Sequence, residues 1–403
     1  MRVDVAIAGA GVGGAVLALA LGRRGYRVAL VERDASPPRL ARPEILWSAT
    51  FAALDGLGIG PRILAESSVP LEAIEVAGPE GPLLTLSRED FTAAGTRPHS
   101  TNPTITRAIL LEAALATGNV EVHRGVAIDG LLKDGERVAG LTGRQGDASF
   151  VLEARLVVGD DGTQSVVRKS LGIAIELSPF PIDFITAEIR WPAELAPDRG
   201  YVRLNPASFR EGLPVLALLP WAGGAGVLLL PLPHDRADRL FAEGSVAFWE
   251  ELCTLAPVGR ELWDQLEFPG SFARVKRPFG HAAAYSAEGA AILGDAAHPM
   301  TPAGGQGANA AIGDALALAE AVDSGLRSGG STVPREALLA YEKVRRPMNA
   351  RSVAISRSAG RAFRFGGRLP LPALVPVLAR LAEHAGFPKR LLLRRFGAAF
   401  VSG

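Results

Sequence analysis

The stretch Val3 to Glu32 restricts the fold more than any other part of this chain. Val3 to Ala8 has a strand pattern, GAGVGG opens a helix that runs to about Arg24, and Gly25 ends it. Tyr26 to Val31 is a second strand, finishing at Glu32. The result is a βαβ unit carrying G-x-G-x-x-G at Gly9, Gly11 and Gly14, with Gly13 inside the same turn. Such glycines give a tight turn, let a pyrophosphate approach the backbone and allow the helix to pack on the strand. Glu32 stands at the distance where an acidic side chain accepts from the ribose hydroxyls of an adenosine. The pattern alone does not separate NAD from FAD. Its position at the extreme N-terminus, with Arg33 directly after Glu32, looks like the FAD version.

A second glycine-rich stretch, Gly294 to Ala315, reads GDAAHPMTPAGGQGANAAIGDA. It follows an apolar run, Ala290 to Leu293, that predicts a short buried strand with Asp295 at its end, and it leads into a helix from about Ala308 to Val322. Between them Pro299, Pro302, Gly304, Gly305 and Gly307 predict a turn-rich loop. Glycines in such a loop let N–H groups approach a flat or anionic ligand, and the positive end of the following helix points at it. A strand–loop–helix connection without ligand is the simpler reading of a generic glycine-rich loop, but this string is longer and more specific than that.

The string GDAAHxxxPxxGQGAN resembles the second flavin motif of single-component aromatic hydroxylases, the FAD-dependent monooxygenases of the p-hydroxybenzoate hydroxylase type. The resemblance implies that Asp295 binds the ribityl chain and that Pro302, Gly305 and Gly307 lie beside the isoalloxazine ring. It also implies that the helix N-terminus near Ala308 and Asn309 faces the N1–C2=O edge, where reduced flavin is anionic. The helix end supplies roughly 0.3–1 kcal/mol there, so backbone N–H groups must help. Gly313 before Asp314 departs from the acidic pair common in the family, a difference expected to touch the helix surface rather than the chemistry.

Three further matches follow from the same resemblance. Arg42 corresponds to an arginine beside the flavin, with Glu44 and Trp47 then facing flavin or substrate; a solvated loop arginine is the plainer alternative. Arg107, in the first turn of a helix predicted over Pro103 to Thr117 with Thr104 or Thr106 as cap, corresponds to one reaching the FAD phosphate–ribose region. A cation is disfavoured at a helix N-terminus, so pairing with phosphate would explain it. Asp161 and Gly162, with Ser165 and Arg168 in register, resemble the family's DG motif at the pyrophosphate groove. Asp160 stands where an alanine is common.

The expected fold class is α/β, a Rossmann-type FAD-binding domain with an interleaved, mostly antiparallel substrate domain and C-terminal helices. Residues 1–70, 100–178 and 276–360 are assigned to the discontinuous FAD-binding domain, 71–99 and 179–275 to the substrate domain, and 361–403 to a helical tail. Apolar spacing predicts a helix within Arg42 to Ile59, and Val69 to Leu86 predicts two strands around a Gly78–Gly81 turn. Thr85 to Asn102 reads as irregular, and Val120 to Val158 as short strands turning at Asp134–Gly135 and Gly146–Asp147. Strands over Asp183 to Arg190, Tyr201 to Leu204, Val215 to Leu219 and Val227 to Leu232, then a helix near Ser245 to Leu255, would form an apolar wall opposite the flavin.

A chain of 403 residues with 48% hydrophobic and 21% charged residues is globular and long enough for two or three domains. A net charge of +1 gives no reason to expect nucleic acid. The single Cys253 excludes an intramolecular disulfide and fits a reducing cytoplasm, and the scattered histidines show no metal-ligand spacing. Val5 to Gly22 imitates a signal-peptide core but is broken by glycines. Leu213 to Pro233 is long enough to cross a bilayer, yet its four prolines and Gly223, Gly224 and Gly226 predict a buried hairpin. From Arg361 onward, eight Lys/Arg face one acidic residue, Glu383, which reads as a solvated face or as peripheral contact with anionic lipid.

The resemblance implies that NADH or NADPH, docking transiently, reduces bound FAD. O2 then adds at the flavin C4a, and the hydroperoxide hydroxylates an aromatic or quinone-like, lipophilic small molecule. His298, close to Pro302, is the ionisable group expected nearest the ring, and these two are the catalytic candidates. A loop-structuring histidine is the competing reading of His298, and no residue stands out as general base. A reductase or dehydrogenase of the same fold, acting without oxygen insertion, is the alternative enzyme. A non-catalytic dinucleotide-binding module is the alternative outside enzymes.

Overall fold

The structure is a computed structural model. It describes residues 2–36, 42–78, 81–204, 215–243, 264–267, 270–302, 305–327 and 332–365, together with positions 246, 262, 389–391, 393 and 394. Its largest sheet has eight strands. Ala290–Ile292, Ala148–Gly159, Arg2–Ala8, Val28–Glu32 and Val120–Arg124 lie side by side in parallel. Ser286–Ala287 pairs antiparallel beyond Ala290–Ile292, and Val126–Asp134 and Arg137–Gln145 extend Ala148–Gly159 as an antiparallel meander. The turns expected at Asp134–Gly135 and Gly146–Asp147 join that meander.

The parallel strands read as nearly continuous apolar runs because both their faces are covered. Val5, Ile7, Leu30, Leu156, Val158 and Ile292 are all buried in one core with the helices Val12–Arg23, Pro103–Leu115 and Gln306–Leu326. Each such Val, Leu or Ile contributes about 1.5–3 kcal/mol on burial. The Val12–Arg23 helix is buried along Gly13 to Gly22, so it packs between layers rather than on the surface. A Cβ on Gly14 would come 2.5 Å from the carbonyl oxygen of Gly9, which is why the close helix–strand approach needs glycine there.

A second sheet of seven strands runs in the order Ala273–Lys276, Ile182–Arg190, Ala225–Pro233, Val215–Trp221, Arg199–Leu204, Ala73–Gly78 and Gly81–Ser87. All neighbours are antiparallel except Arg199–Leu204 with Ala73–Gly78. Within the stretch expected to form a hairpin, the described residues Val215–Trp221 and Ala225–Pro233 pair antiparallel and turn at Ala222–Gly224. Among the described residues no helix is long and apolar enough to cross a membrane.

Several local expectations need correction. The helix expected within Arg42 to Ile59 begins at Ser48 and ends at Gly56, because Glu44–Trp47 is a strand paired with Pro98–Thr101. That pairing is a tertiary contact to which helical spacing is blind. Thr85 to Asn102 is not irregular: it finishes the strand Gly81–Ser87, then forms the helix Arg88–Ala94 and the strand Pro98–Thr101. The short helix starts in a capping box, with Asp90 N donating to Ser87 Oγ at 3.4 Å and Ser87 N to Asp90 Oδ2 at 3.1 Å. The cap of Pro103–Leu115 is Asn102, whose Oδ1 accepts from Thr104 N at 3.0 Å and Ile105 N at 3.3 Å, rather than Thr104 or Thr106. The sequence gives no sign of the helix His234–Glu243, and of the one expected near Ser245 to Leu255 all but Val246, which is helical, lies outside the described residues.

Candidate active site

The parallel strands Arg2–Ala8, Val28–Glu32, Ala148–Gly159 and Ala290–Ile292 all release the chain at their carboxyl ends, where open α/β sheets bind ligands. The glycine loop, Glu32, Asp160 and Gly294 thereby converge. Beside them lies a cavity of about 320 Å³. It is bordered by Gly11, Gly13, Arg42, Arg107 and Gly162 on one side and by Asp295, Pro302, Gly305, Gly307 and Ala308 on another. These ten expected site residues, spread over most of the chain, meet in one place.

The glycine loop is built for close approach. Gly9 has φ +103°, outside the range of an ordinary L-residue. Glu32 accepts from Ala10 N through Oε2 and from Asp34 N through Oε1, both at 3.1 Å, so its carboxylate is held at the end of its strand. Arg33 does not join the site: its side chain is 79% exposed and pairs with Asp34 at 3.6 Å.

Arg42 and Arg107 both line the cavity, and among the described residues neither has a hydrogen-bond or ion-pair partner. Burial, with Arg277 nearby, brings Arg42 down to about 10. Burial also lowers Arg107, with Glu32 opposing. Two desolvated, unpaired guanidinium groups make a site that favours an anion.

Asp161 does not line the cavity. Its Oδ2 accepts from Val166 N at 2.6 Å and Val167 N at 3.1 Å, which starts the helix Val166–Ser170, while its buried Oδ1 has no partner. Arg168 ties this loop to the second glycine stretch by donating to Thr163 O at 2.9 Å and Ala296 O at 2.7 Å. The DG turn and the Asp295 turn are thus one assembly.

Asp295 forms an ion pair with Arg277, a cavity residue for which the sequence carries no recognisable signal. The helix after it runs Gln306–Leu326 and starts from Gly305, which has a φ of +62° and gives the helix no side-chain cap. A Cβ on Gly305 would come 2.9 Å from the Ile45 Cβ, whereas one on Gly307 would meet open space. Asn309 points away from the cavity and latches the neighbouring strand: its Oδ1 accepts from Trp47 N at 3.0 Å and its Nδ2 donates to Ile45 O at 2.7 Å. The Glu44–Trp47 strand carries a buried carboxylate oxygen, Glu44 Oε1, that has no partner. Burial raises Glu44 to about 7, with Arg42 opposing.

His298 is not at the cavity. It is 1% exposed, and its Nε2 bonds to Asp314. Asp314 also accepts from Arg345 Nε at 2.7 Å, Asn349 Nδ2 at 2.8 Å and Gly294 N at 3.3 Å. Burial opposes its charge, but His298 and Arg345 overcome that and hold it at about 2. The expectation of a catalytic imidazole beside the ring is therefore corrected in favour of the loop-structuring reading, with a carboxylate rather than backbone as partner. The view of position 313 as helix surface is corrected too. A Cβ on Gly313 would lie 2.6 Å from Arg345 Nη2, so glycine there admits the guanidinium that neutralises Asp314.

Phe184, Leu229 and Val275 from the second sheet, joined by Met300 from the loop before the helix, give the cavity an apolar wall, interrupted by Thr186 with an unpartnered Oγ1. The residues present fit FAD. There is a backbone cradle that a Cβ would obstruct, a pair of unpartnered arginines, an uncapped helix N-terminus and a carboxylate behind the glycine loop.

A family profile described as FAD binding domain matches residues 2–356. A 6-methylpretetramide 4-monooxygenase of Streptomyces rimosus is 28% identical over 97% of this chain and 91% of its own length. A 12-dehydrotetracycline 5-monooxygenase/anhydrotetracycline 6-monooxygenase of Streptomyces rimosus subsp. rimosus is 31% identical over 87% of this chain and 68% of its own. The crystal structure of P. aeruginosa PqsL in complex with 2-aminobenzoylacetate is 25% identical, with a TM-score of 0.77 over 96% of this chain and 100% of that one. By this profile, these relatives and the shared architecture, the chain belongs to the FAD binding domain family and is an FAD-dependent monooxygenase of the aromatic hydroxylase type.

Proposed function

We propose that FAD occupies the cavity with its diphosphate at Gly11 and Gly13, between Arg42 and Arg107, and its ring at the start of the Gln306–Leu326 helix. We propose as substrate an aromatic or quinone-like, lipophilic small molecule held against Phe184, Leu229, Val275 and Met300. The observation that carries this reading is that this apolar wall and a helix N-terminus without a side-chain cap line one cavity. Polyketide aromatics enter as a substrate class because the relatives above act, by their names, on pretetramide and tetracycline intermediates.

When bound, FAD takes electrons from NAD(P)H and activates O2 for hydroxylation. The chain's own part is binding, orientation and proton handling. The helix N-terminus favours negative charge on the ring edge. The apolar wall keeps water from the reacting centre. Glu44, a cavity-lining carboxyl poised near neutrality, can take the proton that an acidic phenol or enol must lose to become electron-rich. Thr186 Oγ1 can hydrogen-bond a ring substituent.

The seven-stranded sheet is then the substrate unit, and the eight-stranded sheet with its helices the FAD unit. The described segment around Lys389 and Leu393 is read as docked on the protein rather than on lipid, because Lys389 donates to Thr85 O at 2.9 Å and Leu393 is buried against Trp47, Leu86 and Phe91. The single Cys253 supports a reducing compartment such as the cytoplasm.

The test is a panel of phenols, quinolones and polyketide aromatics, scored for stimulated NAD(P)H consumption and for a product heavier by one oxygen atom. Stimulated consumption with no oxygen in any product, or substrate reduction under nitrogen, would overturn the reading.

A further inference from the structure

Asp160 fills the space between the glycine loop and the end of the strand Ala148–Gly159. Its backbone N–H donates to Ala8 O at 2.8 Å, which suspends it from the neighbouring strand end. Its Oδ2 accepts from Gly14 N at 2.7 Å. A Cβ on Gly11 would lie 3.0 Å from Oδ2, one on Gly13 3.2 Å from Oδ1, and one on Gly294 2.6 Å from Oδ1. The carboxyl group is therefore enclosed by both glycine-rich loops, and the residue lines the cavity beside Gly11 and Gly13.

Among the described residues Oδ1 has no hydrogen-bond partner, and no cation neutralises the group. Arg168 is committed to Thr163 O and Ala296 O, and Arg277 to Asp295. Arg42 and Arg107 border the same cavity without bonding to it. The charged groups that act on it are carboxylates, Asp295, Asp161 and Asp314. Burial and these three hold its carboxyl well above the ordinary range, against the Gly14 hydrogen bond. A dianionic diphosphate arriving beside it adds like charge, and like charges in one site favour the protonated acid.

We propose that Asp160 is a neutral carboxylic acid in the FAD-loaded protein, keeping the Gly14 N–H on Oδ2 and donating the Oδ1 proton to the diphosphate. The inference rests on the reading that the diphosphate lies at Gly11 and Gly13. It makes Asp160 a positioning residue for the cofactor, one that replaces an electrostatic penalty by a hydrogen bond. It also links FAD affinity to pH: where apo Asp160 is ionised, binding must take up one proton.

The test compares wild type with Asp160→Asn, which matches the neutral acid in shape, and with Asp160→Ala as a second variant. Infrared spectra of the FAD-loaded proteins should show a protonated-carboxyl C=O stretch in wild type that both variants lack. The wild-type Kd for FAD should be flat below the apo pKa of Asp160 and rise by up to about tenfold per pH unit above it, a dependence absent in Asp160→Asn. A flat wild-type curve together with the infrared band still supports the proposal, because the acid is then neutral before binding as well. Absence of the band, or the same pH dependence in Asp160→Asn, overturns it. Gly11→Val tests the underlying reading separately: normal FAD affinity in that variant removes the diphosphate from this cavity, whatever the infrared result.

Discussion

Trp47 N donates to Asn309 Oδ1 at 3.0 Å, and this bond sets the strand carrying Glu44 against the first turn of the Gln306–Leu326 helix. The Asn309 amide reaches the same strand again through Ile45 O and returns to Gly305 O at 2.5 Å. One side chain thus holds together two borders of the cavity that are far apart in sequence. Asn309→Ala leaves a buried N–H and two carbonyls unsatisfied, at about 1–3 kcal/mol for each orphaned group. The expected outcome is a lower urea midpoint together with weaker FAD retention on gel filtration. Unchanged retention would show that the latch does not shape the site.

The resemblance in GDAAH and GQGAN implies that Asp295 holds the cofactor, and in the structure its partner is Arg277. Asp295→Ala should purify nearly colourless, with FAD occupancy lower by on the order of tenfold or more. Absorbance of the purified protein decides it. Normal yellow occupancy would mean the ribityl chain lies elsewhere.

Asp314 is fully buried and Arg345 is 3% exposed. Asp314→Asn leaves the guanidinium uncompensated, and breaking a buried pair in this way costs about 3–5 kcal/mol. Thermal unfolding should show the loss. His298→Gln should also lower stability while leaving the shape of the kcat pH profile intact; loss of a limb of that profile would return His298 to the chemistry.

Glu44 supplies the pH signature. Its folded carboxyl is raised from the ordinary 4.5 to about 7, first by burial. The folded protein holds a proton that the unfolded chain has released, so its contribution to stability is full at low pH. It is lost as pH rises through about 7. Apo wild type should therefore lose stability relative to Glu44→Gln across that window. In turnover, Glu44→Gln should remove the inflection near neutrality. Parallel stability curves would show that Glu44 does not titrate there.

The tail offers a charge test. Lys389 is 7% exposed and also lies 3.6 Å from Asp90 Oδ2, so Lys389→Ala should lower stability. Removing Arg390 and Arg394 as well should leave liposome binding unchanged. A drop in binding to anionic vesicles would give the segment a membrane role.

Long-range architecture was legible where one segment carries its own pattern. The βαβ unit, the meander from Val120 and the Val215–Pro233 hairpin all announce themselves through apolar runs and turn residues. The strand Glu44–Trp47 was not, because its partner, Pro98–Thr101, is distant in sequence. Ser87 and Asp90 did carry a readable cap signal that polar composition obscured. Gly11, Gly13, Gly162, Gly305 and Gly307 with Arg42 and Arg107 do line one cavity, whereas Arg33 points to solvent. Arg277 and Thr186 escaped notice, and Asp160 stood out only as a departure from alanine, because their importance comes from what surrounds them. His298 misled for the same reason: a motif histidine does not reveal which way its ring turns.

The strand Ala290–Ile292 enters the large sheet beside Ala148–Gly159, although more than a hundred residues separate them. Domains generally fold as units while the ribosome is still extending the chain. Here the nascent N-terminal half emerges with an open sheet edge and half a binding crevice, and waits for the helix that follows Gly305 before it can hold the pigment. With the flavin placed as proposed, loading is expected late in synthesis, and a translation product stopped short of that helix is expected to leave the ribosome uncoloured.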